Sequence, residues 1–447
     1  MKIIRETKSV CPVCITDLDA SIIEEENKIY MVKKCSRHGR FKILISADSY
    51  FYKQLNRIYL ILYRNKPLKI PKTMYQLFLN YKCNLDCSIC YVNANNQKYD
   101  EPNLNFIKDT IKDWINVEIA LFGGEPTLRK DLPEIIKCVE DTNNVPYLVT
   151  NGIKLANLDY LRKIKSKRLT VLFQFDGFRD EIYKVLRGES LIEKKRQALN
   201  NLNKLDIPTT LEVAVTKHVN EDQLEPILKF AVNNGFIKQV CYRSYAHLGK
   251  KGLNYKDALT HDHLIKILEE QTERKVSKKD VLNFQKLVYF LKMNLSFLPI
   301  YPCLYASQYL LYRNKGNYKP ISELIPLDII QKNIDSYFHL IGKGKKFKSF
   351  FISAKIFLKM VKISNLLLIL NFLTSILKKR FAKSRFMLNN LEGWLLLRFS
   401  IFCEPSTFDY SVAGNCMLGE IKTNDGVKHN RGICNIVREK GFVKKKL

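Results

Sequence analysis

Acidic residues are scarce in this sequence of 447 residues. Asp and Glu together number 44 against 74 Lys and Arg, which gives a formal net charge of +30. This deficit excludes an acidic solvating chain and favours an anionic partner such as a nucleotide, a nucleic acid or a membrane face. Hydrophobic residues still make up 46% of the chain, so it can bury a core, and its length predicts two or three domains.

The sequence also lacks an uninterrupted apolar segment long enough to cross a bilayer. Met293–Tyr312 is interrupted by Pro299 and Pro302, and Ile363–Leu377 is shorter than the roughly 20 residues that a spanning helix needs. Basic residues flank Ile363–Leu377 on both sides, including Lys378, Lys379 and Arg380. Two interpretations stay open, a buried helix and a helix that lies on a membrane or lines a lipid pocket.

The beginning of the sequence, MKIIRETKSVCPVC, has no apolar h-region. We therefore expect no secretory signal and a cytoplasmic protein, with peripheral membrane association as an alternative. Twelve cysteines in such a chain indicate metal or redox chemistry rather than a disulfide framework. Cys138, in a helical pattern, and Cys241, in an apolar strand, are interpreted as core thiols.

An alternation of strand and helix patterns predicts the central architecture. Apolar, β-branched or aromatic runs predict strands at Met74–Leu79, Val117–Phe122, Pro146–Val149, Thr170–Phe175, Thr210–Val215 and Gln239–Tyr242. Asn220 is predicted to cap the helix that follows the fifth strand, and Gly235 to end it. We predict an α/β fold: a partial (βα)6 barrel at 70–255, a small metal-binding knuckle at 1–55 and a mostly helical, cysteine-bearing C-terminal region at 256–447.

Cys83, Cys87 and Cys90 lie in the segment NYKCNLDCSICYVNANN, directly after the first predicted strand. Three thiolates on one loop can hold three irons of a [4Fe–4S] cluster and leave the fourth iron without a protein ligand. A small molecule can chelate that open iron. The spacing therefore predicts a cluster that binds a substrate or cofactor.

This cysteine motif resembles that of the radical S-adenosylmethionine (SAM) superfamily, and further motifs at strand ends support the resemblance. They are Tyr91 after the third cysteine, Gly123-Gly124-Glu125-Pro126 after the second strand, Thr150-Asn151-Gly152 after the third and Phe175-Asp176-Gly177 after the fourth. The resemblance implies that SAM chelates the open iron and that its reductive cleavage gives a 5′-deoxyadenosyl radical, which abstracts hydrogen from the substrate.

The resemblance also implies roles for individual residues and partners. Glu125 would accept a hydrogen bond from the SAM ammonium group, and Tyr91 would lie near the adenine. Arg187 and Arg243 are weaker candidates for contacts to the SAM carboxylate or ribose, with structural roles as the alternative. The electron donor would be a ferredoxin or flavodoxin.

The N-terminal knuckle is predicted from Cys11-Pro-Val-Cys14 and Cys35-Ser-Arg-His38. Two short-spaced pairs suit one tetrahedral ion, zinc or a single iron, with His38 as the fourth ligand. The site should be structural because four protein ligands leave no open metal position.

This knuckle and the C-terminal motifs resemble the archaeal radical SAM group that contains tetraether lipid synthase and dihydropterin methyltransferases. The C-terminal motifs are Tyr301-Pro302-Cys303, Glu404-Pro405, Phe408-Asp409, Cys416, Asp425-Gly426 and Cys434. Cys303, Cys403, Cys416 and Cys434 number enough for one auxiliary [4Fe–4S] cluster. The chain lacks the second cysteine that usually follows the Pro-Cys element, so a second auxiliary cluster is not expected.

Three functions are consistent with these features. The first is abstraction of hydrogen from an isoprenoid lipid with formation of a carbon–carbon bond, favoured by the basic, apolar region between Lys343 and Leu397. The second is methyl transfer to a pterin or another small molecule. The third is RNA modification, which the net charge permits, but no RNA-binding module is recognisable and a nucleic-acid partner is not expected.

Overall fold

The computed structural model describes residues 1–64, 74–96, 101–245, 259–295, 303–361, 392–402, 404–413, 418–422 and 428–429. Ile363–Leu377 and its basic flank Lys378–Arg380 lie outside the described residues, as do Cys403, Cys416 and Cys434.

The N-terminal unit is a four-stranded antiparallel sheet in sequential order. Its strands are β1 (Lys2–Val10), β2 (Asp17–Glu25), β3 (Lys28–Cys35) and β4 (Gly39–Ser46), followed by helix α1 (Ser49–Arg64). In β3, alternate residues Ile29, Met31, Lys33 and Cys35 point inward and are buried, as the period of a strand requires. The β1–β2 and β3–β4 turns carry the two pairs of the predicted knuckle.

The central sheet confirms the six predicted strands in their predicted order. They are β5 (Met74–Phe78), β6 (Glu118–Phe122), β7 (Val145–Thr150), β8 (Thr170–Gln174), β9 (Thr209–Val215) and β10 (Ile237–Ser244), each parallel to the next. The helices between them are α2 (Leu104–Ile111), α3 (Leu132–Asp141), α4 (Leu158–Ile164), α5 (Asp180–Arg187), α6 (Ile192–Lys204) and α7 (Leu224–Asn233). Because the strands are parallel, the residues that follow each of them meet at one edge of the sheet.

The C-terminal region adds strands to both sides of these six. They are β11 (Ala306–Asn314), β12 (Asn317–Pro320), β13 (Trp394–Ser400), β14 (Leu418–Lys422) and β15 (Lys428–His429), and the sheet order is β12-β11-β13-β10-β9-β8-β7-β6-β5-β14-β15. Strand β13 runs parallel to β10, and β14 runs parallel to β5. The segment that joins β13 to β14 therefore connects opposite sides of the six-stranded core.

The remaining described elements of the C-terminal region are helices, as predicted. They are α8 (His261–Gln271), α9 (Lys278–Asn294), α10 (Ile321–Leu324), α11 (Leu327–Gly342), α12 (Lys346–Val361) and α13 (Tyr410–Ala413). Within the described ranges, no helix combines the length and the hydropathy needed to cross a bilayer.

The predicted cap at Asn220 was wrong. A 3-10 turn at Glu221–Gln223 precedes α7, and the Asn220 side chain does not cap it. Its amide instead donates to the carbonyl oxygens of Asp176 (2.9 Å) and Ala214 (3.1 Å). The residue type that favours a cap also suits a buried link between strand ends, and only the tertiary contacts distinguish the two.

Candidate functional site

The loop of residues 79–96, which we call the cluster loop, follows β5 and carries Cys83, Cys87 and Cys90. The backbone N–H of Leu85 donates to the Cys83 sulfur (3.4 Å), and that of Ala94 donates to the Cys90 sulfur (3.3 Å). Burial first, and then Glu125 and the other two cysteines, raise the pKa of the Cys83 thiol to about 12. Without a metal the thiol therefore stays protonated, whereas iron would bind it as thiolate. The backbone N–H groups that donate to two of the sulfurs, and the effect of the other two cysteines on the pKa of Cys83, are consistent with three ligands of one cluster.

The residues that directly follow β6 hold the cluster loop in place through backbone hydrogen bonds. The N–H of Gly124 donates to the Asn80 carbonyl (2.7 Å), and that of Glu125 donates to the Lys82 carbonyl (2.8 Å). A Cβ atom at Gly123 would lie 2.3 Å from the Asn80 oxygen, and one at Gly124 would lie 2.3 Å from the Lys82 oxygen. The two glycines are needed because any side chain there would push the cluster loop away from β6.

Glu125 is buried and organises the ends of β6 and β7. Its Oε1 accepts hydrogen bonds from the Thr127 N–H (3.0 Å), the Thr127 hydroxyl (2.6 Å) and the Thr150 hydroxyl (2.7 Å). Its Oε2 accepts one from the Asn151 N–H (2.7 Å). Each carboxylate oxygen has about two acceptor sites, and Oε2 uses one of them, so Oε2 retains capacity for one further donor. This fits the ammonium group of SAM.

The side chain of Asn151 joins this carboxylate to the cluster loop. Its amide nitrogen donates to the Asn84 side-chain oxygen (2.8 Å) and lies 3.9 Å from the Cys83 sulfur. Lys195 of α6 supports the same strand end, with its Nζ 2.5 Å from the Asn151 carbonyl oxygen and 2.8 Å from that of Gln174. Burial lowers the pKa of Lys195 to about 7. The ends of β7 and β8 are thus held together by one buried amine.

Arg187 forms a buried bidentate ion pair with Asp176. Its Nε lies 2.7 Å from Asp176 Oδ2, and its Nη2 lies 3.0 Å from Oδ1. Burial lowers the pKa of Arg187, but Asp176 and then Cys87 outweigh it and leave the pKa above its usual value. Asp176 Oδ1 also accepts from the Ala214 N–H (3.1 Å). These contacts place Asp176 behind Arg187, in a supporting position, and bring the guanidinium toward the cluster loop.

Phe402 is a residue of this region that the sequence reasoning missed. Its ring centroid lies 5.5 Å from that of Tyr91, and the Arg243 guanidinium lies 4.9 Å from the Phe402 ring. Arg243 also pairs with Glu212. Phe402 follows β13, so a strand from the C-terminal region brings an aromatic side chain to the cluster loop. The neighbouring motif residues Glu404-Pro405 and Phe408-Asp409 were recognised from the sequence, but Phe402 gave no signal of this contact.

The N-terminal cysteines and histidine converge as predicted. The ligand atoms of Cys11, Cys14, Cys35 and His38, which we call the ribbon site, all lie within 4.8 Å of one another. The separations are 3.8 Å for Cys14–Cys35 and 3.5 and 3.7 Å from His38 Nδ1 to the sulfurs of Cys35 and Cys11. A tetrahedral ion with bonds of about 2.3 Å to sulfur separates its ligands by about 3.8 Å. The four side chains therefore fit one zinc ion.

The two members of the Cys35–His38 pair perturb each other. The contact with His38 lowers the pKa of the Cys35 thiol, and the contact with Cys35 raises the pKa of the His38 ring. A metal ion would take the place of the shared proton, because it binds thiolate and neutral imidazole.

The C-terminal motif Glu404–Asp409 docks onto the N-terminal sheet. Asp409 is buried, pairs with Arg5 and accepts from the hydroxyl of Thr7 (2.7 Å). Lys33 Nζ donates to the carbonyl oxygens of Pro405 (2.7 Å) and Ser406 (2.9 Å). The motif therefore has a structural role that its sequence did not reveal.

Of the four cysteines that are predicted to bind an auxiliary cluster, the structure describes one, Cys303. Cys303 is half-buried, and its carbonyl accepts a hydrogen bond from the Tyr289 hydroxyl (3.2 Å). Its three predicted partners lie outside the described residues, so the auxiliary cluster stays a prediction. Of the two predicted core thiols, Cys241 is buried and Cys138 is half-buried on α3.

Two family descriptions match this chain. Residues 78–231 match the radical SAM superfamily, and residues 3–47 match the HMPTM N-terminal zinc ribbon domain. The first range contains the cluster loop, Glu125 and Asp176, and the second contains the whole ribbon site. The radical SAM family implies a [4Fe–4S] cluster and SAM as cofactors, and the ribbon is consistent with bound zinc.

Among known proteins, the chain is 30% identical over 305 residues to the 7,8-dihydro-6-hydroxymethylpterin dimethyltransferase of Methanocaldococcus jannaschii, an alignment that covers 62% of this chain and 60% of that protein. It is 27% identical over 218 residues to a GTP 3′,8-cyclase of Campylobacter jejuni subsp. doylei, covering 46% of this chain and 65% of that one. The chain thus spans less than two thirds of these relatives' lengths. Among solved structures, Streptococcus suis SuiB bound to precursor peptide SuiA aligns with a TM-score of 0.40 and 14% identity, over 58% of this chain and 71% of that chain.

Proposed function

We propose that this chain, which contains a radical SAM domain, cleaves SAM reductively and abstracts a hydrogen atom from an unactivated carbon of its substrate. One observation carries the proposal: the cluster loop, the Gly123-Gly124 turn, Glu125 and Asn151 meet at one edge of the sheet and are joined by direct hydrogen bonds.

The chain's own residues have distinct tasks in this proposal. When bound, the cluster and SAM supply the one-electron cleavage chemistry. Cys83, Cys87 and Cys90 hold the cluster, and Oε2 of Glu125 orients the SAM ammonium group. Asn151 keeps that carboxylate and the cluster loop in register. The rings of Tyr91, in the cluster loop, and Phe402, which contacts it, limit the access of water.

A dihydropterin is the first candidate substrate, with methyl transfer as the reaction. Support comes from the pterin dimethyltransferase of Methanocaldococcus jannaschii, which aligns with this chain at 30% identity, and from the HMPTM-type ribbon. The alignment covers 60% of that protein, and substrate specificity in a shared fold depends on site residues rather than on the fold itself.

An isoprenoid lipid, with formation of a carbon–carbon bond as in tetraether lipid synthase, is the second candidate. The observation that favours it is helix α12, which exposes Phe347, Phe350, Phe351 and Leu358 on its surface. A lipid substrate would require an exposed apolar surface of this kind on the enzyme.

The test is anaerobic reconstitution of the full chain with iron, sulfide and zinc, followed by mass spectrometry of 5′-deoxyadenosine after reduction with dithionite or a flavodoxin system. The variant Cys83→Ala/Cys87→Ala/Cys90→Ala should produce only background amounts, whereas Cys138→Ala should behave as the wild-type protein. Retained 5′-deoxyadenosine production in the triple variant would refute the proposal. Parallel reactions with a dihydropterin and with an isoprenoid ether lipid then distinguish the candidates, by a methylated pterin or a coupled lipid product.

A further inference from the structure

Helix α12 carries an apolar stripe that faces outward, in addition to the buried Ile356 that faces the core. Phe347, Phe351 and Leu358 are 77%, 59% and 63% exposed, and their spacing places them on one side of a helix. Ser349 and Ser353, on the opposite side, are buried. An ordinary surface helix has only the apolar stripe that faces the core, and its outer side is polar.

The buried contacts of α12 show that this orientation is anchored. The Ser353 hydroxyl donates to the side-chain oxygen of Asn294, at the end of α9 (2.8 Å). The Phe357 ring packs against Phe290 of α9 with centroids 5.4 Å apart. A rotation that buried Phe347 and Phe351 would break both contacts. The outer aromatic side chains meanwhile contact each other, with the Phe347 and Phe351 centroids 5.1 Å apart.

Lysines border this outer stripe, and no acidic residue lies near them in sequence. Lys345, Lys346, Lys348, Lys355 and Lys359 lie in or beside α12, and the sequence contains no Asp or Glu from 336 to 391. A partner that covers the stripe must therefore be anionic as well as apolar. Neither the following segment 362–391 nor a second copy of α12 meets this condition. The segment contains no acidic residue, and a second copy of α12 would bring lysines against lysines.

We propose that α12 is a membrane-docking helix that lies in the headgroup region of an anionic bilayer, with Phe347, Phe351 and Leu358 toward the acyl chains. A helix that presents aromatic and aliphatic side chains beside a row of lysines has the composition that binds such interfaces. Leu358 and its neighbour Ala354 have no base-stacking surface, so the stripe fits acyl chains better than nucleic acid. Single exposed apolar residues are common, but a contiguous patch marks an interaction site. The proposal concerns where the protein sits and does not depend on its substrate.

Vesicle co-sedimentation of the reconstituted full chain tests the proposal. Wild-type protein should bind vesicles made of phosphatidylglycerol and phosphatidylcholine at low salt. Its binding to vesicles of phosphatidylcholine alone should be at least tenfold weaker. The variant Phe347→Ser/Phe351→Ser/Leu358→Ser should lose at least tenfold in binding to the anionic vesicles. The matched control Ile3→Ser/Ile115→Ser removes similarly exposed apolar side chains elsewhere and should bind as the wild type does.

A charge variant keeps the proposal falsifiable if the serine variant folds poorly. Lys346→Gln/Lys348→Gln/Lys355→Gln/Lys359→Gln alters only the polar border and should weaken binding to anionic vesicles at least tenfold, as should salt added to the wild type. Wild-type protein that fails to bind anionic vesicles would overturn the proposal. So would a stripe variant that binds vesicles normally but changes the molar mass measured by light scattering, since that result would identify a second copy as the occupant.

Discussion

The ribbon site and the cluster loop both present cysteine sulfur to a metal, but they differ in the number of ligands and in what surrounds them. The ribbon site places four ligand atoms within 4.8 Å of one another. The cluster loop supplies three cysteines.

The number of ligands determines what each site can bind. Four close ligands enclose a single ion and leave no position for a substrate. Three thiolates suit a [4Fe–4S] cluster and leave one iron open. The surroundings differ accordingly: the ribbon site lies in turns of a small sheet, whereas the cluster loop lies at the sheet edge beside Glu125 and Asn151. Ligand number and surroundings thus distinguish a structural site from a catalytic one within a single chain.

The largest expected effect separates the two sites by metal content. Cys83→Ala should remove about four irons per chain and reduce SAM cleavage to background, because two thiolates do not retain the cluster. Cys11→Ala should remove zinc and lower the thermal stability of the N-terminal unit, since structural zinc sites contribute directly to folding free energy. It should spare most of the SAM cleavage.

Elemental analysis and differential scanning calorimetry on the two variants provide the measurement. The comparison fails if Cys11→Ala loses SAM cleavage while it keeps its iron and its stability, because the ribbon site would then have a role beyond structure.

A smaller effect is expected at the buried carboxylates in and after β6. Glu125→Gln should raise the Kd for SAM by about 10- to 100-fold, because hydrogen bonds to a charged group contribute about 1.5–3 kcal/mol each. Glu118 lies in β6, the strand that precedes Glu125, and is also buried, but burial raises its pKa to about 8, so it is already largely neutral at pH 7. Glu118→Gln should therefore change SAM binding by less than about twofold. Isothermal titration of SAM into the reconstituted variants measures both, and equal effects would contradict the assigned role of Glu125.

The smallest expected effect is a pH dependence that both regions share. Burial lowers the pKa of Lys33, in the N-terminal sheet, and that of Lys195, beside the ends of β7 and β8, to about 7. In the unfolded chain each amine stays protonated up to about pH 10.4. Between pH 7 and 10 the unfolded state therefore binds more protons, so each lysine makes the free energy of unfolding rise with pH, by at most about 1.4 kcal/mol per pH unit.

Replacement of either lysine by Met should flatten this rise. Urea unfolding of Lys33→Met, Lys195→Met and wild-type protein at pH 7, 8 and 9 measures the slopes. If a variant keeps the wild-type slope, its lysine is not the titrating group. A change in SAM affinity is expected only for Lys195→Met, because Lys195 contacts the Asn151 carbonyl while Lys33 contacts Pro405 and Ser406.

Sequence reasoning reached the parts of the site that depend on local order. The motif after each of β5 to β8 could be assigned to one edge because parallel strands end on the same side. The ribbon site could be assigned because its ligands lie in two short turns. The role of Phe402, the docking of Asp409 on Arg5 and the use of Asn220 as a link between strands were not predicted. Each of these contacts joins residues from elements whose relative placement the local pattern does not contain.

Helix α12 shows the same division most clearly. The sequence by itself determined its helical period, its lysines and its lack of acidic neighbours, since all of these are properties of consecutive residues. An apolar stripe indicates that one face of a helix avoids water, but it does not say whether the core or another partner covers that face. The tertiary structure decided this, because the contacts of Ser353 and Phe357 with α9 turn the serines inward and leave Phe347, Phe351 and Leu358 facing outward.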